Sequence, residues 1–477
     1  MSFVIFFNGM VLIFFAALMG LDALIFPATG GVFLFSMAVV GVPGALLVMA
    51  SSSANTGLRR VHTFLLTSTV WFTAAVTGAV PLMVWSLTPT NALFEAMSGI
   101  TTTGATVMTG LDAVPHGIIM WRAVLQAVGG VGFIVTGIAI LPLLKVGGMQ
   151  LFRTESSDKG EKELKSAALF ASATLQIYAG LIVICALVYL AGGMTGFDAI
   201  THAMTTISTG GYSGHDASFG FFQSAFLQWS GTLFMLLGAL PFAWYIRVIQ
   251  GGSFRSEQVG AMVQTLTVVI LLLTVWVMAR TGMPPLTALR QVSFNVVSVV
   301  TTTGYATTDY TLWGPFAVTM FFVLTAVGGC TGSTAGGAKA MRWLLLGRSI
   351  KAQIQALYSP HRVVTVRYEG RRVDADVISG LITFFTVYLA TFAILSCALT
   401  LLGLDVETAT SGALTALANV GPGVGSIIGP AGNFASLGDP AKLVLVLGMF
   451  LGRLEMLTVV VLLTPLFWQE VRRKPAF

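Results

Sequence analysis

The sequence predicts an all-α polytopic membrane protein, four helix–pore-loop–helix repeats preceded by an extra N-terminal helical hairpin. Three observations predict it. Of 477 residues, 55% are hydrophobic and only 9% charged, with a mean hydropathy of +0.86, whereas soluble domains carry roughly 25% charged residues. A polar signature then returns four times in this apolar background: Ile100-Thr-Thr-Thr-Gly-Ala-Thr106, Ile207-Ser-Thr-Gly-Gly-Tyr-Ser213, Val300-Thr-Thr-Thr-Gly-Tyr-Ala306 and Ala418-Asn-Val-Gly-Pro-Gly-Val424. With Gly104, Gly211, Gly304 and Gly421 taken as equivalent, the spacings are 107, 93 and 117 residues, the mark of a repeated unit. Finally, a short amphipathic run precedes each signature, at 92–99, 198–206, 289–299 and 408–417. All are well below the roughly 20 residues that cross a bilayer, so four re-entrant helices are expected.

In chain order, residues 1–58 hold two uncharged stretches, 1–21 and 25–50, parted by Asp22 and a turn at 27–31. This suits a hairpin of two spanning helices. A signal peptide is the alternative reading, but no basic residue precedes the apolar run and no convincing cleavage site follows it. The repeats are expected at 59–150, 151–255, 256–360 and 361–477, each a spanning helix, a polar dip and a second spanning helix. The helix pairs are 61–85 with 117–144, 164–191 with 219–249, 259–278 with 312–347, and 373–402 with 441–468, ten spans in all with the hairpin.

Charge distribution orients the chain. Twenty of the 25 Lys and Arg fall in the connections between units and in the tail, and the positive-inside rule makes those ends cytoplasmic and puts the four dips on the outer side. The formal charge of +6 therefore reflects contact with a lipid bilayer and not with nucleic acid. The outer segments carry Glu95, Asp112, Asp198, Asp216, Asp309, Asp405 and Glu407, read either as a solvated face or as a negative vestibule that concentrates cations. Cys185, Cys330 and Cys397 are far apart in apolar segments, which suggests packing and neither a disulfide framework nor a metal site.

The signatures carry the chemistry. A re-entrant helix brings its negative end and unpaired carbonyls inward, and a Thr-Thr-Gly segment after it can line a pore with backbone oxygens that replace the hydration shell of a monovalent cation. Glycine allows the positive φ that such a backbone needs. Within the expected span 312–347, Gly328-Gly-Cys-Thr-Gly-Ser-Thr-Ala-Gly-Gly337 interrupts the apolar run with five glycines in ten residues. Unwound backbone at that depth is tolerated where protein or a water-filled cavity satisfies it, and a flexible plug or hinge under the filter is expected. A close-packed glycine interface is the plainer reading. Arg453 and Glu455 lie inside the span 441–468, which makes them functional candidates. The unwound carbonyls of 328–337 are the expected partners of Arg453, with a salt bridge to another helix as the alternative.

Other classes are disfavoured. His62, His116, His202, His215 and His361 form no H-x-x-x-H or H-x-x-E-H pattern, and neither a G-x-S-x-G elbow nor a Walker phosphate loop occurs, so no enzyme is expected. No helix has the regularly spaced arginines of a voltage sensor. A potassium symporter driven by sodium or protons is the alternative transport reading, but segments 167–197 and 377–404 hold no acidic residue or histidine to relay a proton.

The chain resembles the TrkH branch of the Trk/Ktr/HKT potassium-transport superfamily over essentially its full length. The resemblance is carried by Gly99-Ile-Thr-Thr-Thr-Gly-Ala-Thr106, Leu141-Pro-Leu-Leu-Lys-Val-Gly-Gly-Met-Gln150, Ser208-Thr-Gly-Gly-Tyr212, Thr302-Thr-Gly-Tyr305, the glycine-rich 328–337 block, Asn419-Val-Gly-Pro-Gly423 and Gly452-Arg-Leu-Glu455. It implies pseudo-fourfold symmetry and potassium uptake across the bacterial inner membrane, with pore loops on the periplasmic side. It implies a potassium-binding selectivity filter at Thr102, Thr103, Gly104, Thr209, Gly210, Gly211, Thr302, Thr303, Gly304, Asn419, Val420 and Gly421. It further implies a homodimer gated by a cytosolic TrkA-like nucleotide-binding subunit, with no nucleotide bound by this chain. The gating loop would comprise Gly328, Gly329, Gly332, Ser333, Thr334, Gly336 and Gly337, contacted by Arg453. The fourth filter segment departs from the other three in having Asn-Val-Gly-Pro where they have variants of Thr-Thr-Gly.

Overall fold

The structure, a computed structural model, describes residues 2–51, 60–139, 161–359 and 364–472. The 141–150 block, Arg59, Lys145, Arg153, Lys159, His361, Arg362, Arg473 and Lys474 lie outside the described residues. Helices α1 (Ser2–Ile25) and α2 (Gly30–Ser51) form the expected hairpin around a 3-10 turn at Pro27–Thr29. The first unit is α3 (Arg60–Trp85), the short α4 (Pro89–Ile100) and α5 (His116–Ala139). The second is α6 (Glu161–Ala191), the short α7 (Gly196–Ile207), α8 (Ala225–Gly238) and α9 (Phe242–Ile249). The third is α10 (Glu257–Thr281), the short α11 (Pro285–Val300), α12 (Pro315–Thr325) and α13 (Ala340–Tyr358). After a small antiparallel hairpin of β1 (Arg367–Tyr368) and β2 (Arg371–Arg372), the fourth is α14 (Ala375–Leu401), the short α15 (Val406–Ala418), α16 (Asp439–Arg453) and α17 (Leu457–Val460), closed by a terminal α18 (Pro465–Arg472).

Six helices among the described residues are long and apolar enough to cross a membrane unbroken, namely α1, α2, α3, α6, α10 and α14. They turn large apolar side chains outward, Leu24, Phe35, Leu187, Leu271 and Leu401 among them, a surface suited to lipid.

The expected single helices at 219–249 and 441–468 are both broken. The first bends by 92° between α8 and α9 and the second by 103° after α16. Pro241 accounts for one break, because its ring excludes the carbonyl four residues earlier and it brings no N–H. At the other, Glu455 and Met456 take φ of 58° and 45°, which no helix accommodates. A broken second helix, expected in the third unit alone, thus occurs in three among the described residues.

Two apolar cores hold the units together. One joins α1 and α2 to the first and fourth units through Phe15, Phe33, Trp121, Leu445 and Met449. The other joins the second and third through Tyr189, Phe219, Phe294, Tyr310 and Phe321. The four short helices belong to these cores, the first and fourth through Phe94, Met97 and Ala413 and the second and third through Ala203 and Phe294, and are largely buried.

Candidate functional site

Each short helix is started and stopped by its own sequence. Thr88, Thr195 and Asp405 cap α4, α7 and α15 by accepting the N–H of Asn91, Asp198 and Thr408 at 3.4, 3.1 and 2.9 Å, as N-cap residues do. At the other end all four close alike. The N–H of Thr102, Thr209, Thr302 and Asn419 donates to the carbonyl three residues back at 3.0, 3.0, 3.0 and 3.3 Å. The next N–H, of Thr103, Gly210, Thr303 and Val420, donates to the carbonyl five back at 2.8, 2.9, 2.8 and 3.1 Å. These are the paired bonds of a Schellman motif, which requires a left-handed residue at its hinge, and φ there is 53°, 51°, 56° and 55°. β-Branched threonine is strained in that region, at about 1–3 kcal/mol per residue, whereas asparagine tolerates it. The fourth signature therefore departs in residue type but keeps the same backbone.

Two residues later the glycines again have positive φ, 83° at Gly104, 74° at Gly211, 81° at Gly304 and 106° at Gly421. A β-carbon on Gly104 would overlap the carbonyl oxygen of Gly210, one on Gly211 that of Thr303, and one on Gly304 that of Val420, while one on Gly421 would stand 2.7 Å from that of Thr103. Followed in turn, these approaches lead from unit one to two, three, four and back to one. The sequence-predicted filter residues are thereby brought together in a closed ring, and all four glycines border a small cavity of about 80 Å³.

The ring is rich in unsatisfied acceptors. Among the described residues no hydrogen-bond donor reaches the carbonyls of Thr102, Thr103, Gly104, Thr209, Gly211, Thr302, Thr303, Gly304, Asn419, Val420 or Gly421. Gly210 is the exception, its oxygen accepting from Gln126 Nε2 at 2.7 Å. Since more than nine in ten buried backbone carbonyls are paired, this concentration of bare oxygens fits a partner of positive charge.

Several supports behind the ring were not legible as such in the sequence. Glu95, expected on the outer side either in a solvated face or in a negative vestibule, is fully buried and accepts from Arg122 Nε at 2.8 Å and from Val107 N at 2.9 Å. Arg122 also donates to Ser213 O at 2.8 Å and lies over the ring of Tyr212, tying unit one to unit two. Tyr212 Oη donates to Glu95 O at 2.7 Å, and Tyr305 Oη meets Thr205 Oγ1 at 2.5 Å. The available signal was Arg122 itself, an ionisable residue inside an expected span.

Beneath the ring, the 328–337 segment is non-helical and buried, as expected for the third unit. Cys330 N donates to Ala239 O at 3.0 Å and Phe242 N to Gly332 O at 2.9 Å, so the segment fills the break of the second unit. Gly337 N donates to Ala418 O at 2.8 Å, and Gly336 N to Thr302 Oγ1 at 2.7 Å. Arg453 reaches one of the expected carbonyls, Nη1 donating to Thr334 O at 3.1 Å, while Nη2 donates to Gly129 O on α5 at 3.0 Å, outside the expected set. Glu455 pairs instead with Arg342 at 2.5 Å.

At the outer mouth, Asp112 bonds His215 Nδ1 at 2.5 Å, and that hydrogen bond holds its carboxyl below the usual carboxylate range. The N–H of Thr408 does the same for Asp405.

The family model of the TrkH cation transport proteins matches residues 30–470. The chain is 46% identical over 441 residues to the Trk system potassium uptake protein TrkI of Halomonas elongata, covering 91% of this chain and 89% of that one. It is 35% identical over 477 residues to the Trk system potassium uptake protein TrkH of Escherichia coli K12, covering 97% and 98%. Its fold matches the crystal structure of the potassium transporter TrkH from Vibrio parahaemolyticus with a TM-score of 0.90 at 31% identity, covering 98% of this chain and 99% of that one.

Proposed function

Because the chain belongs to the TrkH family of cation transport proteins, we propose that it takes up potassium through the ring formed by 102–104, 209–211, 302–304 and 419–421. Four helix–pore-loop–helix repeats in pseudo-fourfold arrangement build that ring. The observation that carries the reading is the set of buried carbonyls without donors, whose neutral oxygens replace the hydration shell of a weakly hydrated monovalent cation without trapping it. Transport, and not catalysis, is the chemistry these groups support.

Segment 328–337 acts as the gate, held closed in part by Arg453, since it lies directly under the ring and is bonded to units on either side of it. The protein sits in the bacterial inner membrane with its pore loops periplasmic and works as a homodimer. A cytosolic nucleotide-binding subunit sets the gate from the basic inner face, where eight Lys and Arg lie between 339 and 372. The testing experiment is cation flux into liposomes containing this chain alone, with and without the subunit. Potassium-selective flux that the subunit modulates is expected. Equal sodium and potassium flux would overturn the filter, and indifference to any such subunit would overturn the partner.

A further inference from the structure

Ring closure runs through four oxygens, those of Thr103, Gly210, Thr303 and Val420, each approached by the ring glycine of a neighbouring unit. Three of them accept from no donor among the described residues, whereas Gly210 O accepts from Gln126 Nε2 at 2.7 Å. The same carboxamide accepts Tyr212 N at 3.0 Å through Oε1, so Gln126 grips the second segment at two points. Gln126 is fully buried on α5, one turn after Arg122, whose Nη1 donates to Ser213 O at 2.8 Å. Residues four apart share a helix face, and one face of α5 in unit one thus holds the 210–213 backbone of unit two.

Two features of the sequence are fitted to this contact. The second signature has Gly210 where the others have Thr103, Thr303 and Val420, and of the glycines in the ring segments Gly210 alone lacks a positive φ. Its backbone does not require glycine. A β-carbon there would instead overlap the Gln126 carboxamide, so the missing side chain is clearance for the amide. The second feature is Gln126 itself. Gly129, Gly238 and Gly452 each lie against the carbonyl four residues before their own unit's ring glycine, at Ile100, Ile207 and Leu417, which makes Gln126, Met235 and Met449, three residues before them, equivalent. All three are buried, and only Gln126 has a side-chain donor to give.

We propose that Gln126 is a specificity-determining positioning residue, which keeps the Gly210 oxygen weaker toward a cation than the oxygens of Thr103, Thr303 and Val420. The inference rests on the filter reading above and deepens it. A carbonyl oxygen has two lone pairs, and on Gly210 one of them is occupied by the positive hydrogen of the Gln126 amide. That hydrogen repels a cation and fixes the direction in which the oxygen points. Sodium is smaller and more strongly hydrated than potassium, so it needs the stronger oxygen field to offset its dehydration. A ring with one weakened oxygen therefore penalises sodium more than potassium, and the uneven second unit contributes to selectivity where four equal units would not.

The test is the potassium-to-sodium permeability ratio of the full-length chain in liposomes, measured beside its melting temperature in detergent. Gln126→Met keeps the length and packing of the side chain, donates nothing, and gives unit one the residue of units two and four. The ratio is expected to fall roughly three- to tenfold, the span of one hydrogen bond's net worth. Gly210→Ala, which displaces the carboxamide, should cause a similar fall and serves where Gln126→Met fails to insert. Added to Gln126→Ala it should cost nothing further, because clearance for the amide is the only demand on that position. An unchanged or raised ratio, with or without a lower melting temperature, would make Gln126 a brace alone, and fully additive effects of the two alanine substitutions would separate the glycine from the amide. Either result overturns the inference while the filter reading stands. A wild-type chain that passes both cations equally would overturn the filter reading and this one with it.

Discussion

The ring at 102–104, 209–211, 302–304 and 419–421 and the segment at 328–337 are both glycine-rich and buried, yet they are held in different ways. The ring is fixed from behind. Each ring segment is locked onto its own short helix by two Schellman bonds; Glu95, Arg122 and Gln126 brace the ring from packed helices, and Tyr212 and Tyr305 reach out from the ring segments to Glu95 O and Thr205 Oγ1. The lower segment has a few bonds of its own, such as Ser333 Oγ to Cys330 O at 2.6 Å. Most of its others go to partners far away in sequence, at Ala239, Phe242, Thr302, Ala418 and Arg453. Bonds within one capped helix break only when the helix does, whereas bonds between units can be exchanged together as a unit moves. Under the proposed function, the difference gives rigidity to the region proposed to select and exchangeable bonds to the region proposed to close.

The hardest blow to the rigid side is Arg122→Met. It takes the guanidinium away from buried Glu95, leaving the carboxylate only the Thr106 and Val107 donors, and a loss of about 3–5 kcal/mol is expected, read as a fall in melting temperature in detergent. Adding Glu95→Gln should restore part of it. Undiminished stability in the single variant would mean that the ring does not lean on this pair. A milder disturbance is Gly304→Ser, which puts a β-carbon onto Val420 O at a φ of 81°. Strain of about 1–3 kcal/mol should lower the potassium-to-sodium permeability ratio roughly tenfold, as should Gly104→Ser. A preserved ratio in both would refute the ring as the filter.

On the mobile side, Arg453→Ala and deletion of 331–335 should each raise flux without the partner subunit, about tenfold for every ~1.4 kcal/mol removed from the closed state, with selectivity nearly intact. Flux at or below the wild-type level in well-inserted variants would show that the segment is structural. The smallest effect concerns the outer mouth. Because His215 depresses the Asp112 pKa, that pair stabilises the fold above the ordinary carboxylate value of about 3.9 and loses its contribution as pH falls through the lower folded value. Asp112→Asn should therefore flatten the decline in melting temperature between about pH 5 and pH 3. An unaltered acid limb would remove the pair from the account.

The short helices were legible to within a few residues, since each amphipathic run ends at a polar signature that stops it: 92–99 became Pro89–Ile100 and 408–417 became Val406–Ala418. The break at 328–337 was legible because five glycines cannot sustain a helix. The other two breaks were not. A single Pro241 and the ordinary Leu454-Glu-Met456 leave hydropathy unchanged, and hydropathy locates apolar length without reporting its straightness.

By itself the sequence determined the membrane environment, the fourfold recurrence and the four positive-φ glycines of the ring, because solvent preference and local backbone permission are properties of short stretches. Only the tertiary structure decided that Asn419 takes the backbone role of a threonine, that Glu95 is neutralised by Arg122 from 27 positions away, and that Arg453 divides its donors between Thr334 and Gly129, the latter 324 positions distant. Such pairings are set by which helices pack side by side. That choice belongs to the summed burial of the two cores and to the closing of the ring, and no single segment carries it.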